Sequence, residues 1–371
     1  MHRRILCSAL VSALGLIVSP LAPPFAPITV ATVTGDGACT RAEATTGSSL
    51  AAEWALAETG PTLYWQSVTF APTMCQLVAF GGSDPSRGTS ANTWLFDPIA
   101  GRWTTIVATK AGPAARTHGA FAWDSTRKRA VLFGGRTSGG RGVLPGVLQD
   151  TWSFDPATRT WTPLITNCRR SLCPPARWGG MMAWSSAIGK LVLFGGSSDT
   201  AGGDRLLNDV WTYDTAWHRV SATAGPTPRL LFGMAEDAAT GKIVVYGGAG
   251  AGLRTTRDTW LLDPRTWTWT HVPTLATPTA DAEVGMAWLP SLNAVVVTGG
   301  SAGSGTGVAN STWVFDRAAP SWREVQTNAP VPSMHLESTL TTDSCHGFAI
   351  FLGPPDQVIP PTHADYTWIL K

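Results

Sequence analysis

Short apolar runs of three to five residues recur along the chain, and each ends at a glycine position. "VAFGG" ends at Gly81-Gly82, "VLFGG" at Gly134-Gly135 and again at Gly195-Gly196, "VVYGG" at Gly247-Gly248 and "VVTGG" at Gly299-Gly300. "AIFLGPP" (Ala349 to Pro355) is a degraded sixth copy, with Leu352 at the first glycine position. The intervals are 53, 61, 52, 52 and 53 residues. Apolar runs this short, punctuated by Gly and Pro, predict strands, and a fixed period of this length predicts a repeat architecture.

A second element follows each run: "NTWLFDP", "DTWSFDP", "DVWTYDT", "DTWLLDP", "STWVFDR" and "YTWILK". A third brings another tryptophan, at Trp103, Trp161, Trp217, Trp269 and Trp322. Eleven residues before each first glycine position stand Phe70, Trp123, Trp184, Glu236, Trp288 and Thr341, a constancy that predicts a hairpin of fixed length. Each unit therefore reads as four strands, typified by "HGAFAWD" (a), "RAVLFGG" (b), "DTWSFDP" (c) and "TWTPL" (d). The glycine pair permits positive φ and close backbone approach. Asp-Pro after strand c is turn chemistry, and the tryptophans suit the wedge between radially packed sheets.

Paired glycines, an aromatic strand ending in Asp and a later Trp make the chain similar to the kelch-repeat β-propellers, of which the central domain of galactose oxidase is one. The resemblance spans about residues 52 to 371. It implies an all-β, six-bladed propeller of four-stranded blades over 51–371. The sixth unit ends after its strand c, at Lys371. "EWALAETGP" (Glu53 to Pro61) matches a strand d and the loop that follows it, so it is expected to complete that blade and close the ring.

Ahead of the repeats, "MHRR" and the apolar run Ile5 to Val18 read as a signal peptide and export segment over 1–31, followed by a flexible linker over 32–50. An uncleaved membrane anchor is the alternative. Loss of Arg3 and Arg4 leaves 25 basic and 25 acidic residues, so no basic field for nucleic acid remains. The expected location is secreted or in the cell envelope, and the expected state monomeric. In an oxidising compartment the cysteines favour disulfides. Cys168 and Cys173 are expected to pair locally, and one further bond is expected among Cys75, Cys345 and Cys39.

Chain direction puts the b–c and d–a loops on one face. Seven residues before the constant position stand Leu63, Arg116, Arg177, Arg229, Asp281 and Met334. Three successive Arg followed by an acid predict either a basic pocket for a carboxylate, sulfate or acidic peptide, or a brace inherent to the repeat. His118, Glu283, Arg136 and Arg205 lie on the same loops. A metal site from His118, His335 and His363 with Asp281 or Glu283 is the weaker reading; no HxH or HExxH spacing occurs, and neither metal nor cofactor is expected. The reading favoured is an exported interaction module that binds a protein partner or an extracellular glycan through this face. The alternative, by resemblance alone, is a carbohydrate-active enzyme of oxidase or sialic-acid-epimerase type. In the epimerase case Arg116, Arg177 and Arg229 would hold a carboxylated sugar, and Asp281, Glu283 or His118 would move the proton.

Overall fold

The computed structural model describes residues 31–33, 39–41, 54–61, 64–84, 88–108, 111–137, 146–166, 168, 172–199, 205–302, 307–308, 311–325, 339–353 and 365–370. The chain divides into two units, Met1–Gly47 and Ser48–Lys371. In the first, Ala31–Val33 pairs antiparallel with Cys39–Arg41, and all of these residues but Ala31 belong to the segment expected as linker. The rest of the expected signal and linker region lies outside the described residues. No described helix is long and apolar enough to cross a membrane.

The second unit holds six four-stranded antiparallel sheets arranged as a β-propeller. Strands a to d of blade 1 are Ser67–Ala71, Gln76–Phe80, Thr93–Asp97 and Arg102–Ile106. Those of blade 2 are Ala120–Asp124, Arg129–Phe133, Thr151–Asp155 and Thr160–Ile165. Blade 3 comprises Met181–Ser185, Lys190–Phe194, Val210–Tyr213 and Trp217–Val220. Blade 4 comprises Gly233–Asp237, Lys242–Tyr246, Thr259–Asp263 and Thr268–Val272, and blade 5 Gly285–Leu289, Ala294–Thr298, Thr312–Asp316 and Ser321–Val325. In blade 6, Thr339–Asp343, Phe348–Gly353 and Asp365–Leu370 are completed by Trp54–Gly60 as strand d. That strand pairs Trp54 with Leu370 and Gly60 with Asp365, with one irregularity between Leu56 and Thr59. The expected closure is therefore present, and it covers an edge that would otherwise stay open.

The eleven-residue constancy follows from register: Phe70 faces Leu77, and Trp123 faces Ala130, in equivalent a–b hairpins. Turn chemistry closes c–d, where Asp97 Oδ1 accepts the Ile99 and Ala100 amides, both at 2.9 Å. The strand-d tryptophans fill the wedges and carry a polar pin as well. Trp161 Nε1 donates to Thr93 Oγ1 of the preceding blade at 2.9 Å, Trp217 to Thr151 at 2.9 Å and Trp322 to Thr259 at 2.8 Å. Trp103 does the same to Thr367 of blade 6 at 2.9 Å, so the pin also spans the ring closure. A buried indole N–H needs such a partner, and a strand-c threonine of the neighbouring blade supplies it. Blade 3 has Val210 at that position.

Both disulfides expected from the sequence are present. Cys168–Cys173 closes a local loop, and Cys75–Cys345 joins the a–b turns of blades 1 and 6 across a separation of 270 residues. Cys75 thus pairs with Cys345 rather than with Cys39.

Candidate functional site

The loop face is built from the glycine pairs upward. Gly134 has φ +65°, and a Cβ there would stand 2.5 Å from the Arg177 carbonyl oxygen, so no larger residue fits. This approach lets Gly135 N donate to Arg177 O at 2.8 Å, from blade 2 to blade 3. Gly82 N bonds Arg116 O at 2.9 Å and Gly196 N bonds Arg229 O at 2.8 Å in the same way. Each brace position is thereby seated on the preceding blade.

The three arginines do not open onto the face. Arg116, Arg177 and Arg229 are 0%, 1% and 1% exposed. Each guanidinium grips the aspartate before its own strand c: Arg116 holds Asp150 at 2.6 and 2.8 Å, Arg177 holds Asp209 at 2.7 and 2.8 Å, and Arg229 holds Asp258 at 2.7 and 2.9 Å. A further N–H of each reaches the first glycine carbonyl of its blade, at 2.9, 2.9 and 2.8 Å. Burial opposes ionisation of the aspartates, yet the arginine contacts outweigh it and hold all three carboxyls below their ordinary range, Asp258 at about 2. The basic-pocket alternative is corrected here: these guanidiniums are already saturated by fork-to-fork pairing. A substrate carboxylate could reach them only by displacing a buried partner, which removes the basis for the epimerase analogy in the arginine trio.

Asp281, the acidic counterpart in blade 5, is also buried. Its Oδ2 accepts from Thr255 Oγ1 at 2.9 Å and lies 3.8 Å from Arg257 Nε. Arg205 is exposed on the b–c loop of blade 3, with its own amide bound to Asp199 Oδ2 at 2.8 Å.

The remaining candidates converge on the channel at the propeller axis. Two residues beyond the register position of blades 1 to 5 stand Trp65, His118, Gly179, Leu231 and Glu283, all at positive φ, between 54° and 64°. Main-chain bonds connect them blade to blade: His118 N to Trp65 O at 3.1 Å, Gly179 N to His118 O at 3.1 Å, Leu231 N to Gly179 O at 2.9 Å and Glu283 N to Leu231 O at 2.7 Å. Left-handed backbone at four bulky residues costs on the order of 1 kcal/mol each and persists because this chain of bonds enforces it. The consequence is a collar of side chains around the channel mouth.

On one side the collar is aromatic and cationic. Thr117 and Arg136 exchange two main-chain bonds of 2.9 Å, which hold Arg136 beside the mouth. Its guanidinium carbon lies 4.0 Å from the ring centroid of Trp178 and 5.9 Å from that of Trp65. His118 packs between the same rings, at 5.2 Å from Trp65 and 5.0 Å from Trp178. Burial, and next the Arg136 charge, hold the His118 imidazole well below its ordinary value, so it is neutral at pH 7. Across the axis, on blade 5, burial alone pushes the Glu283 carboxyl up to about 7. Glu283 Oε2 and His118 Nδ1 are both buried without a hydrogen-bond partner. The sequence reading missed Trp65 and Trp178; the signal for Trp65 was its place two residues after the brace register.

Among the described residues no three His, Cys, Asp or Glu side chains come together as a metal site. His335 and His363, invoked for the metal reading, lie outside the described residues, as do Leu63 and Met334.

The KLHDC2/KLHL20/DRC7 Kelch-repeats domain model matches residues 167–352. The chain belongs to the kelch-repeat family. Adagio protein 3 of Arabidopsis thaliana is 30% identical to it over 243 residues, which cover 61% of this chain and 36% of that protein. Adagio-like protein 1 of Oryza sativa subsp. japonica is 33% identical over 157 residues, 40% of this chain and 23% of that one. The matched region thus spans about a third or less of these curated relatives. This kelch propeller suggests a protein-interaction module.

Proposed function

We propose that this kelch chain is an exported interaction propeller that holds a polypeptide partner on its b–c and d–a loop face, over the channel mouth. The observation that carries this reading is the Arg136 guanidinium lying over Trp178 with Trp65 and His118 against it. Stacked aromatic and Arg side chains of this kind form the centre of protein interfaces, where a few such groups supply most of the binding energy. A collar held by main-chain bonds is also preorganised, which lowers the entropy lost on association. Export is supported by the basic-apolar N-terminus together with two disulfides.

The test is site-specific photocrosslinking in the cells that make the protein. A benzophenone side chain is placed at exposed Arg205 on the loop face or at exposed Met74 on the opposite face. A polypeptide adduct is expected from position 205, lost in Trp178→Ala, and none from position 74. Adducts from position 74 alone, or carbohydrate adducts from position 205, would overturn the reading. A fusion of residues 1–31 to a reporter active only outside the cytoplasm tests export; a silent reporter contradicts it.

A further inference from the structure

Below the collar the channel encloses a cavity of about 120 Å³. Its wall is apolar and adaptable, with Met181, Met182, Met286, Phe121, Phe232 and Leu340 among the lining residues. Glu283 and His118 interrupt it, together with Gln66, Ser67 and Thr339, and Glu283 Oε2 and His118 Nδ1 are buried without partners. Blades 2 and 5 are opposite in a ring of six, so these groups face the channel from opposite walls. A buried polar atom with no partner is costly, and a ligand that supplies the missing donor recovers that cost.

We infer that the central channel is a binding site for a primary ammonium group on an aliphatic stem, with the Glu283 carboxylate as its counter-charge. The charges select the sign: no ion pair compensates Glu283 among the described residues, while Arg136 places the positive side of the mouth beside His118. The methionines and phenylalanines select the stem, since methylene groups replace water against them. The small volume of the cavity selects ammonium over guanidinium, because an ammonium is a compact point charge and a guanidinium a wider planar fork. The amine comes from a free alkylamine or from a lysine of a docked polypeptide. The second source rests on the loop-face reading, whereas the site itself does not.

Selective ¹³C labelling of the methionine methyls tests the site in the full chain. Met181, Met182 and Met286 line the channel, while Met74 stands on the opposite face as an internal control. At pH 8, n-butylamine and Nα-acetyl-lysine N-methylamide are titrated separately, with n-butanol as the uncharged counterpart. Saturable shifts of the channel methyls with an amine, none with n-butanol, and about tenfold weaker binding in Glu283→Gln are expected. Response to the lysine amide identifies a polypeptide side chain as the source, and response to n-butylamine alone identifies a free amine. Equal shifts with n-butanol, no saturable shift with either amine, or undiminished affinity in a Glu283→Gln protein whose Met74 and Met234 signals are native would overturn the inference. Because no partner protein is used, failure here leaves the crosslinking result standing, and the reverse also holds.

Discussion

Replacing Arg229 by Met separates a brace from a binding residue. The exchange keeps an unbranched side chain in a site that is 1% exposed, and it removes the donors to Asp258, Gly247 O and Thr227 O. Asp258, 26% exposed, then holds a charge without its partner. Its carboxyl stands at about 2 against an ordinary 3.8, a preference for the ionised form worth about 2 kcal/mol. Adding the Gly247 carbonyl left without this donor raises the expected loss to about 3 kcal/mol at pH 7. The sign with pH is fixed by the depressed value. This stabilisation is present above pH 3.8 and disappears as pH falls through 2, so wild type and variant must converge in acid. The assay is urea unfolding followed by tryptophan fluorescence at pH 7 and at about pH 2.5. Arg229→Met with Asp258→Leu should recover part of the loss, because no unpaired charge remains. Equal unfolding midpoints at pH 7, or a gap that is the same at both pH values, would refute the brace argument and return Arg229 to the binding face.

Three further outcomes follow from other parts of the ring. Glu283 is raised from 4.5 to about 7, so its contribution is complete below pH 4.5 and lost as pH rises through 7. That is about 3 kcal/mol before channel water screens it, and Glu283→Gln should therefore gain thermal stability over wild type between pH 5 and 8; parallel melting curves across that range would contradict the burial of the carboxyl. Thr151→Val leaves the buried Trp217 indole N–H unpaired and should cost about 1–2 kcal/mol in chemical unfolding, and an unchanged midpoint would show that the pin is dispensable. Removing residues 1–60 takes away strand d of blade 6 and exposes the edge of Asp365–Leu370. A lowered melting temperature with concentration-dependent aggregation is expected, and a monomer of native stability would contradict closure through that strand.

Much of the fold could be read from the chain because each blade is encoded locally. The eleven-residue spacing is an a–b hairpin register, as Phe70 with Leu77 and Trp123 with Ala130 show. The glycine pairs mark the places where a neighbouring carbonyl comes too close for a Cβ, as at Gly134. Even the closure was visible, since "EWALAETGP" carries the strand-d pattern far from the blade it completes. The cysteine spacing was equally informative, because Cys75 and Cys345 occupy equivalent turns of blades that adjoin only in a closed ring.

The site was less legible. The register placed Arg116, Arg177 and Arg229 together, but it could not say which way their side chains turned. Asp150, Asp209 and Asp258, about thirty residues later, decide that by meeting them inside the blade. Nor does any residue type signal the collar, where Trp65, His118, Gly179, Leu231 and Glu283 share only a left-handed backbone and a chain of bonds around the axis. Sequence alone determined the repeat, its strands and the partner of its last edge, because short-range spacing and side-chain volume fix those. Tertiary structure alone decided which charges are spent on bracing and which face the channel. That outcome depends on contacts between loops separated by tens of residues, and on the main-chain bonds that turn one position per blade toward the axis.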